Sequence, residues 1–234
     1  MRFLILLLFC LGPLPARACD LALVLAVDVS GSVDPQEYRI QMDGLAAGLR
    51  DPLVSEALVR AQAQVALLQW SGSSRQQVTL PWAQMSNFVA VDEFAHRVQT
   101  DPRVWRNFST AVGEALELAL SSFQHVPDCK RHVIDISGDG PSNEGVAPEQ
   151  MRQALRADNV TVNAIAIEES EPDLTAYFFE HVITGEGAFV VTATGFQDYP
   201  DKIRRKLLRE VTKQAVRVNE SPNALVRPAG YDMK

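Results

Sequence analysis

Asp28, Ser30 and Ser32 stand at alternate positions in Asp28-Val29-Ser30-Gly31-Ser32, directly after the unbroken apolar run Leu21–Val27. One carboxylate and two hydroxyls on a tight turn offer hard oxygen donors, the type that a hard divalent cation takes. Two other segments can supply the same chemistry. Thr110 precedes a helix-patterned stretch, and Asp139 lies in the polar turn Ser137-Gly138-Asp139-Gly140 after the apolar segment His132–Ile136. Asp135 sits inside that apolar segment, where a lone carboxylate is costly. It is expected to support the cation site from behind through hydrogen bonds, with a pairing to His132 or an arginine as the alternative.

Other site chemistries have less support. His96, His125, His132 and His181 show no ligand spacing such as HExxH. Ser30 lies outside a G-x-S-x-G elbow, and no GxGxxG follows the first apolar run. Trp70 and Trp82 are expected in the core, and Trp105, in the loop before Thr110, is the aromatic expected to reach a site rim. Ser32, Asp34 and Thr110 could also each simply cap a helix. That reading explains the residues one by one and leaves their convergence unexplained.

The elements that must carry these residues follow from periodicity. Seven apolar residues from Leu21 to Val27 read as a strand buried on both faces. Asp34-Pro35 is a helix start, and Tyr38, Met42, Leu45 and Leu49 continue a helix to about Arg50. Val65–Trp70 and Gln77–Trp82 read as strands joined by a short turn, hence antiparallel. Phe88, Val91, Ala95 and Val98 mark a helix, and Asp101–Ser109 a loop. Val112, Ala115, Leu116, Ala119, Leu120 and Phe123 form a core-facing helical stripe. Strands over His132–Ile136, Val160–Ile167 and Phe189–Ala193 then alternate with helices over Pro148–Ala157, Leu174–Val182 and Pro200–Val218. Such alternation predicts an α/β domain with a doubly wound, mostly parallel sheet covered on both faces. Its strand tips are where ligands bind in open sheets.

The chain of 234 residues suits one domain with a sizeable core. Its 47% hydrophobic and 22% charged content is ordinary for a globular protein. Residues 1–18 read as a secretory signal peptide: Arg2, the apolar segment Phe3–Leu11, and Ala16-Arg17-Ala18 as cleavage signal. Cleavage leaves a domain over 19–218, and a tail over 219–234 that carries prolines and no periodicity. It removes two arginines and no acid, leaving a net charge of about −9 and no electrostatic reason to seek nucleic acid or an anionic membrane. A secreted, periplasmic location is the expectation. Cys19 and Cys129 remain, and an even pair in an oxidising compartment favours one disulfide. Lipidation of Cys19 is the alternative, with Arg17 interrupting the pattern a lipoprotein signal needs.

Taken together, the three polar segments resemble the metal-ion-dependent adhesion site of von Willebrand factor A (vWA) domains. The D-x-S-x-S motif is matched by Asp28, Ser30 and Ser32. The motif T-x-x-G-x-A-L is matched by Thr110-Ala111-Val112-Gly113-Glu114-Ala115-Leu116, and the aspartate-glycine motif by Asp139-Gly140. Among such proteins the chain resembles an uncharacterised group of bacterial secreted vWA-like proteins. The resemblance implies a six-stranded sheet in the order 3-2-1-4-5-6 with one antiparallel edge strand. It also implies that Ser30, Ser32 and Thr110 ligate Mg²⁺ (or Mn²⁺ or Ca²⁺) directly, with Asp28 and Asp139 acting largely through water. Such an ion keeps an open position that an acidic group of a partner protein can fill, so the implied function is binding, not catalysis. Neighbouring first and fourth strands would bring Cys19 and Cys129 together as a disulfide. The departure is Ser137-Gly138-Asp139-Gly140 where the family reads T-D-G.

The alternative is a Mg²⁺-dependent phosphotransferase of the haloacid-dehalogenase type, with Asp28 as nucleophile. The segment Gly138-Asp139-Gly140-Pro141-Ser142-Asn143-Glu144 resembles that family's acidic motif. The position of its general acid, however, is Ser30, which cannot do that work at neutral pH.

Overall fold

The computed structural model describes residues 19–169 and 171–217, so the expected signal peptide and tail lie outside the described residues. A wholly apolar strand needs cover on both faces, and β1 (Ala22–Asp28) is buried at every position. Leu23, Leu25 and Val27 point into one core with Tyr38, Met42, Val91 and Ile203. Ala22, Val24 and Ala26 point into a second with Val112, Leu116, Leu155 and Phe178.

Around β1 the sheet grows in both directions. On one side lies β2 (Gln64–Trp70), parallel to β1, followed by β3 (Gln76–Gln84) as the antiparallel edge. On the other lie β4 (His132–Gly138), β5 (Val160–Ile167) and β6 (Val190–Ala193), all parallel. The order is β3-β2-β1-β4-β5-β6, as the resemblance implied.

Helices α1 (Pro35–Arg50), α2 (Pro52–Arg60), α3 (Phe88–Thr100) and α7 (Tyr199–Arg217) cover one face. The other carries α4 (Val112–Ser122), α5 (Pro148–Ala157) and the short α6 (Leu174–Tyr177). Asp34 caps α1 as expected, its carboxylate accepting from the N–H groups of Gln36 and Glu37 while Glu37 returns a bond to Asp34 N.

Periodicity overlooked α2, whose three inward residues Val54, Ala57 and Leu58 are too few to show a period. A capping signal was present: Asp51-Pro52 repeats Asp34-Pro35, and Asp51 accepts from Leu53 N and Val54 N. The helix expected over Leu174–Val182 is α-helical only to Tyr177 and continues as a π-helical turn, Phe178–Val182. Phe88 leads α3 but is exposed, as is Val89 beside it.

Cys19 and Cys129 form the expected disulfide, with Cα atoms 4.5 Å apart. They lie at the N-terminal ends of adjacent parallel strands, where Lys130 N also donates to Cys19 O. The bridge closes a loop of 110 residues. Removing it in Cys129→Ser should therefore lower unfolding free energy by about 2–4 kcal/mol, read from urea midpoints of oxidised wild type and variant.

Candidate metal-binding site

The strand tips carry the site. Asp28 ends β1 with no exposed surface, and its Oδ1 accepts the Ser30 N–H at 2.7 Å, folding the turn back on the carboxylate. The hydroxyls of Ser30 and Ser32 are 3.2 Å apart, and Ser32 Oγ donates to Asp139 Oδ1 at 2.7 Å. Four of the five expected ligand residues thus form one hydrogen-bonded group, and Asp139, not Asp135, is the carboxylate that meets it.

Thr110 reaches the same edge on a separate loop. Ala111 N donates to Ser71 O, and Val29 N to Trp70 O, so the tip of β2 is shared by both loops. Gly31 N donates to Phe108 O at 2.7 Å, which closes the Thr110 loop over the serine turn. Gly113 of the T-x-x-G motif has a steric reason: a Cβ there would stand 2.1 Å from Val146 O. Gly138 has another, since a Cβ would meet Asp28 Oδ2 at 3.2 Å and Phe178 Cζ at 3.1 Å.

Helix capping does not explain these polar residues. Asp34 does cap, but α4 begins at Val112 with no cap from its own side, and Thr110 stands two residues ahead of it.

The electrostatics are those of two adjacent carboxylates, with the Arg103 guanidinium as a partial counter-charge. Burial and then the nearby Asp139 push Asp28 up to about 8, against the hydrogen bonds from Ser30 that pull it down. Burial likewise raises Asp139, opposed by the Ser32 hydroxyl. Asp28 Oδ2 is buried without a hydrogen-bond partner. Among the described residues no lysine, arginine or histidine forms an ion pair with Asp28 or Asp139. No cluster of three or more His, Cys, Asp or Glu suited to a metal occurs among them either. The donor set is therefore two carboxylates and hydroxyls, which fits a hard cation that retains water.

Asp135 takes a different place from the one expected. Strand alternation sends it to the face of β4 opposite Ile134 and Ile136, where its carboxylate meets the Lys206 ammonium of α7. Lys206 also pairs with Glu210 Oε1 at 2.8 Å, so Asp135 belongs to a buried charge cluster under α7. Among the described residues its ion pair is with Lys206, in place of the His132 or arginine considered from the sequence.

The residues that do reach the site from behind are Ser137 and Gln41. Ser137 Oγ donates to Gln41 Oε1 at 3.3 Å, and Gln41 Nε2 donates to Asp28 O at 3.3 Å. Arg103 braces the turn from the other side, its Nη2 donating to Val29 O and Ser30 O at 2.9 and 2.8 Å. None had a sequence signal beyond a polar residue near a motif. Trp105 packs against the α1-side core, and Phe108, with the Arg75 guanidinium 3.7 Å from its ring centre, is the exposed aromatic of that loop.

A mostly parallel sheet in this order, with hydroxyls and aspartates from three loops gathered at its tips, is the von Willebrand factor A-type fold. The chain belongs to the family described as protein of unknown function (DUF1194), whose model matches residues 18–215. No curated protein matches its sequence. Solved structures place the fold. Proximal thread matrix protein 1 from the mussel byssus, with a zinc-occupied MIDAS (metal-ion-dependent adhesion site) motif, is 15% identical with TM-score 0.62, covering 83% of this chain and 46% of that one. The pilus adhesin SpaC from Lactobacillus rhamnosus GG, in an open conformation, is 11% identical with TM-score 0.63, covering 85% and 31%. A von Willebrand factor type A structure from Catenulispora acidiphila is 18% identical with TM-score 0.53, covering 82% and 43%. The chain spans less than half the length of each.

Proposed function

We propose that this protein is a secreted, periplasmic binding module that holds a divalent cation at its strand tips and uses it to engage an acidic group of a partner protein. The observation that carries this is the convergence of Asp28, Ser30, Ser32 and Asp139, with a buried Asp28 oxygen left unpartnered. Ser30, Ser32 and Thr110 would supply neutral oxygens, and Asp28 and Asp139 the balancing charge. Mg²⁺, or Mn²⁺ or Ca²⁺, would provide a Lewis-acidic position open to a carboxylate.

Two further features fit an acidic partner and an oxidising compartment. Residues 102–113 beside the site contain Arg103 and Arg106 and no acid, although the chain as a whole is acidic. The Cys19–Cys129 bridge suits export, with residues 1–18 as the signal peptide, 19–218 as the binding domain and 219–234 as its tail. Among the described residues no helix is long and apolar enough to cross a membrane. The pilus adhesin supplies precedent for the fold in an adhesive setting, and the byssus matrix protein for a metal ion at its MIDAS motif.

The test is thermal unfolding with and without millimolar Mg²⁺ or Mn²⁺. A cation present at a hundred times its Kd should add about 2.7 kcal/mol, or roughly 5–11 °C for a domain of this size. Identical melting with and without metal would overturn the reading. Mg²⁺-dependent phosphatase turnover that disappears in Asp28→Asn would overturn it in favour of catalysis.

A further inference from the structure

Ser142 and Asn143 lie in the segment that resembles a phosphotransferase motif, of which the binding function uses Asp139 and leaves these two without a role. In the fold they grip Thr110. Thr110 N donates to Asn143 Oδ1 at 2.9 Å, and Asn143 N returns a bond to Thr110 O at 2.9 Å. The same carbonyl accepts from Glu144 N and from Ser142 Oγ, each at 3.3 Å. Ser142 Oγ in turn accepts from Val112 N at 3.2 Å, capping α4 from a loop 30 residues away. Tyr177 holds the loop in place, its hydroxyl accepting from Ser142 N at 3.1 Å.

The contact borders open space on one side. Outside it, Ser142, Asn143, Glu144 and Tyr177 border a recess of about 470 Å³. Thr110 itself is buried, and its own helix supplies no cap. Hydrogen bonds from the loop that carries Asp139 therefore hold Thr110 on one side, as Ala111 N on Ser71 O holds it on the side of β2.

We infer that Ser142 and Asn143 are positioning residues: they lock the Thr110 loop to the Asp139 loop, so that the two arms of the cation site move as one unit. The inference rests on the metal-binding function proposed above. A buried backbone amide deprived of its acceptor must find water or shift, and either displaces a hydroxyl whose use depends on its position.

The experiment uses the mature chain and reads two quantities. Amide hydrogen exchange at Thr110 and Val112 reports the clamp itself, and Mn²⁺ titration reports the site. Asn143→Ala should speed exchange at Thr110 and weaken Mn²⁺ binding about tenfold, the low end for residues supporting metal ligands. Asn143→Asp keeps the acceptor and should restore slow Thr110 exchange, and Ser142→Ala should speed exchange at Val112. In a Thr110→Val background, Asn143→Ala should cost no further affinity, because the hydroxyl it positions is gone. Unchanged Thr110 exchange in Asn143→Ala overturns the clamp whatever the metal does. Faster exchange with wild-type Mn²⁺ affinity, or equal affinity losses in both backgrounds, overturns the positioning role. A wild type that binds no Mn²⁺ while the exchange effects persist overturns the metal function and leaves the clamp as a structural lock.

Discussion

Asp28→Asn is expected to abolish the cation response while leaving the fold intact. Asparagine has the volume of aspartate and can keep Oδ1 in place to accept the Ser30 N–H, now at 2.7 Å. The turn that aims Ser30 and Ser32 should therefore survive. What disappears is one of two carboxylates whose charge compensates the ion, in a site where the remaining donors are neutral hydroxyls. The affinity loss should be at least about a hundredfold, or roughly 2.7 kcal/mol. In the melting assay the metal-free variant should unfold within a few degrees of wild type, and added Mg²⁺ should do nothing. Ser30→Ala with Ser32→Ala should behave alike through loss of neutral oxygens. A variant that still gains the full wild-type stabilisation from Mg²⁺ would place the ion elsewhere.

The second large effect lies on the other face of the sheet. Lys206, fully buried on α7, meets Asp135 of β4 and, at 2.8 Å, Glu210 one turn along its own helix. Glu210 Oε1 also accepts from Asn163 Nδ2 at 2.9 Å. Breaking such a cluster by removing Lys206 leaves the buried Asp135 carboxylate without its counter-charge, which costs about 3–5 kcal/mol. Lys206→Met should accordingly lower the melting temperature by roughly 6–20 °C for a domain of this size. Neutralising the acids as well, with Asp135→Asn and Glu210→Gln added, should recover most of the loss, because no charge is then left unpaired. Equal damage in the single and triple variants would mean that Lys206 matters by packing alone.

The same cluster sets a pH dependence. Burial, followed by the charge of Asp135, pushes Glu210 up to about 8 against the pull of Lys206. The folded chain thus keeps a proton on Glu210 that the unfolded chain loses near its ordinary value of 4.5. Where the folded state binds more protons, stability falls as pH rises. Its contribution should be complete below about 4.5, fall through the interval up to about 8, and level off above. Asp28, also raised to about 8, adds a slope of the same sign. Glu210→Gln should therefore flatten the urea-midpoint profile between pH 5 and 8 without abolishing its slope. A profile identical to wild type would show that Glu210 is ionised throughout.

Thr110 shows where local pattern stops being informative. The helix after it is evident from Val112, Ala115, Leu116 and Ala119, all buried. Its cap, however, comes from Ser142, and no spacing rule within a helix reaches that far along the chain. Asp51 shows the reverse: a cap written in the sequence as Asp-Pro, overlooked because the helix it starts presents only a short apolar face.

By itself the sequence determined the parts whose physics is local or nearly so. The apolar run Leu21–Val27 reads as a strand covered on both sides, Asp34-Pro35 starts a helix, and Asp28, Ser30 and Ser32 must emerge together where β1 ends. Only the tertiary structure decided what Asp135 meets. Within β4 both faces are buried, so alternation separates Asp135 from Ile134 and Ile136 without saying what covers either face. The answer is Lys206 on one face, while Asp139, beyond the strand end, meets Ser32. Periodicity records a residue's direction relative to its own element, and the chemistry it meets there belongs to whatever the fold packs against it.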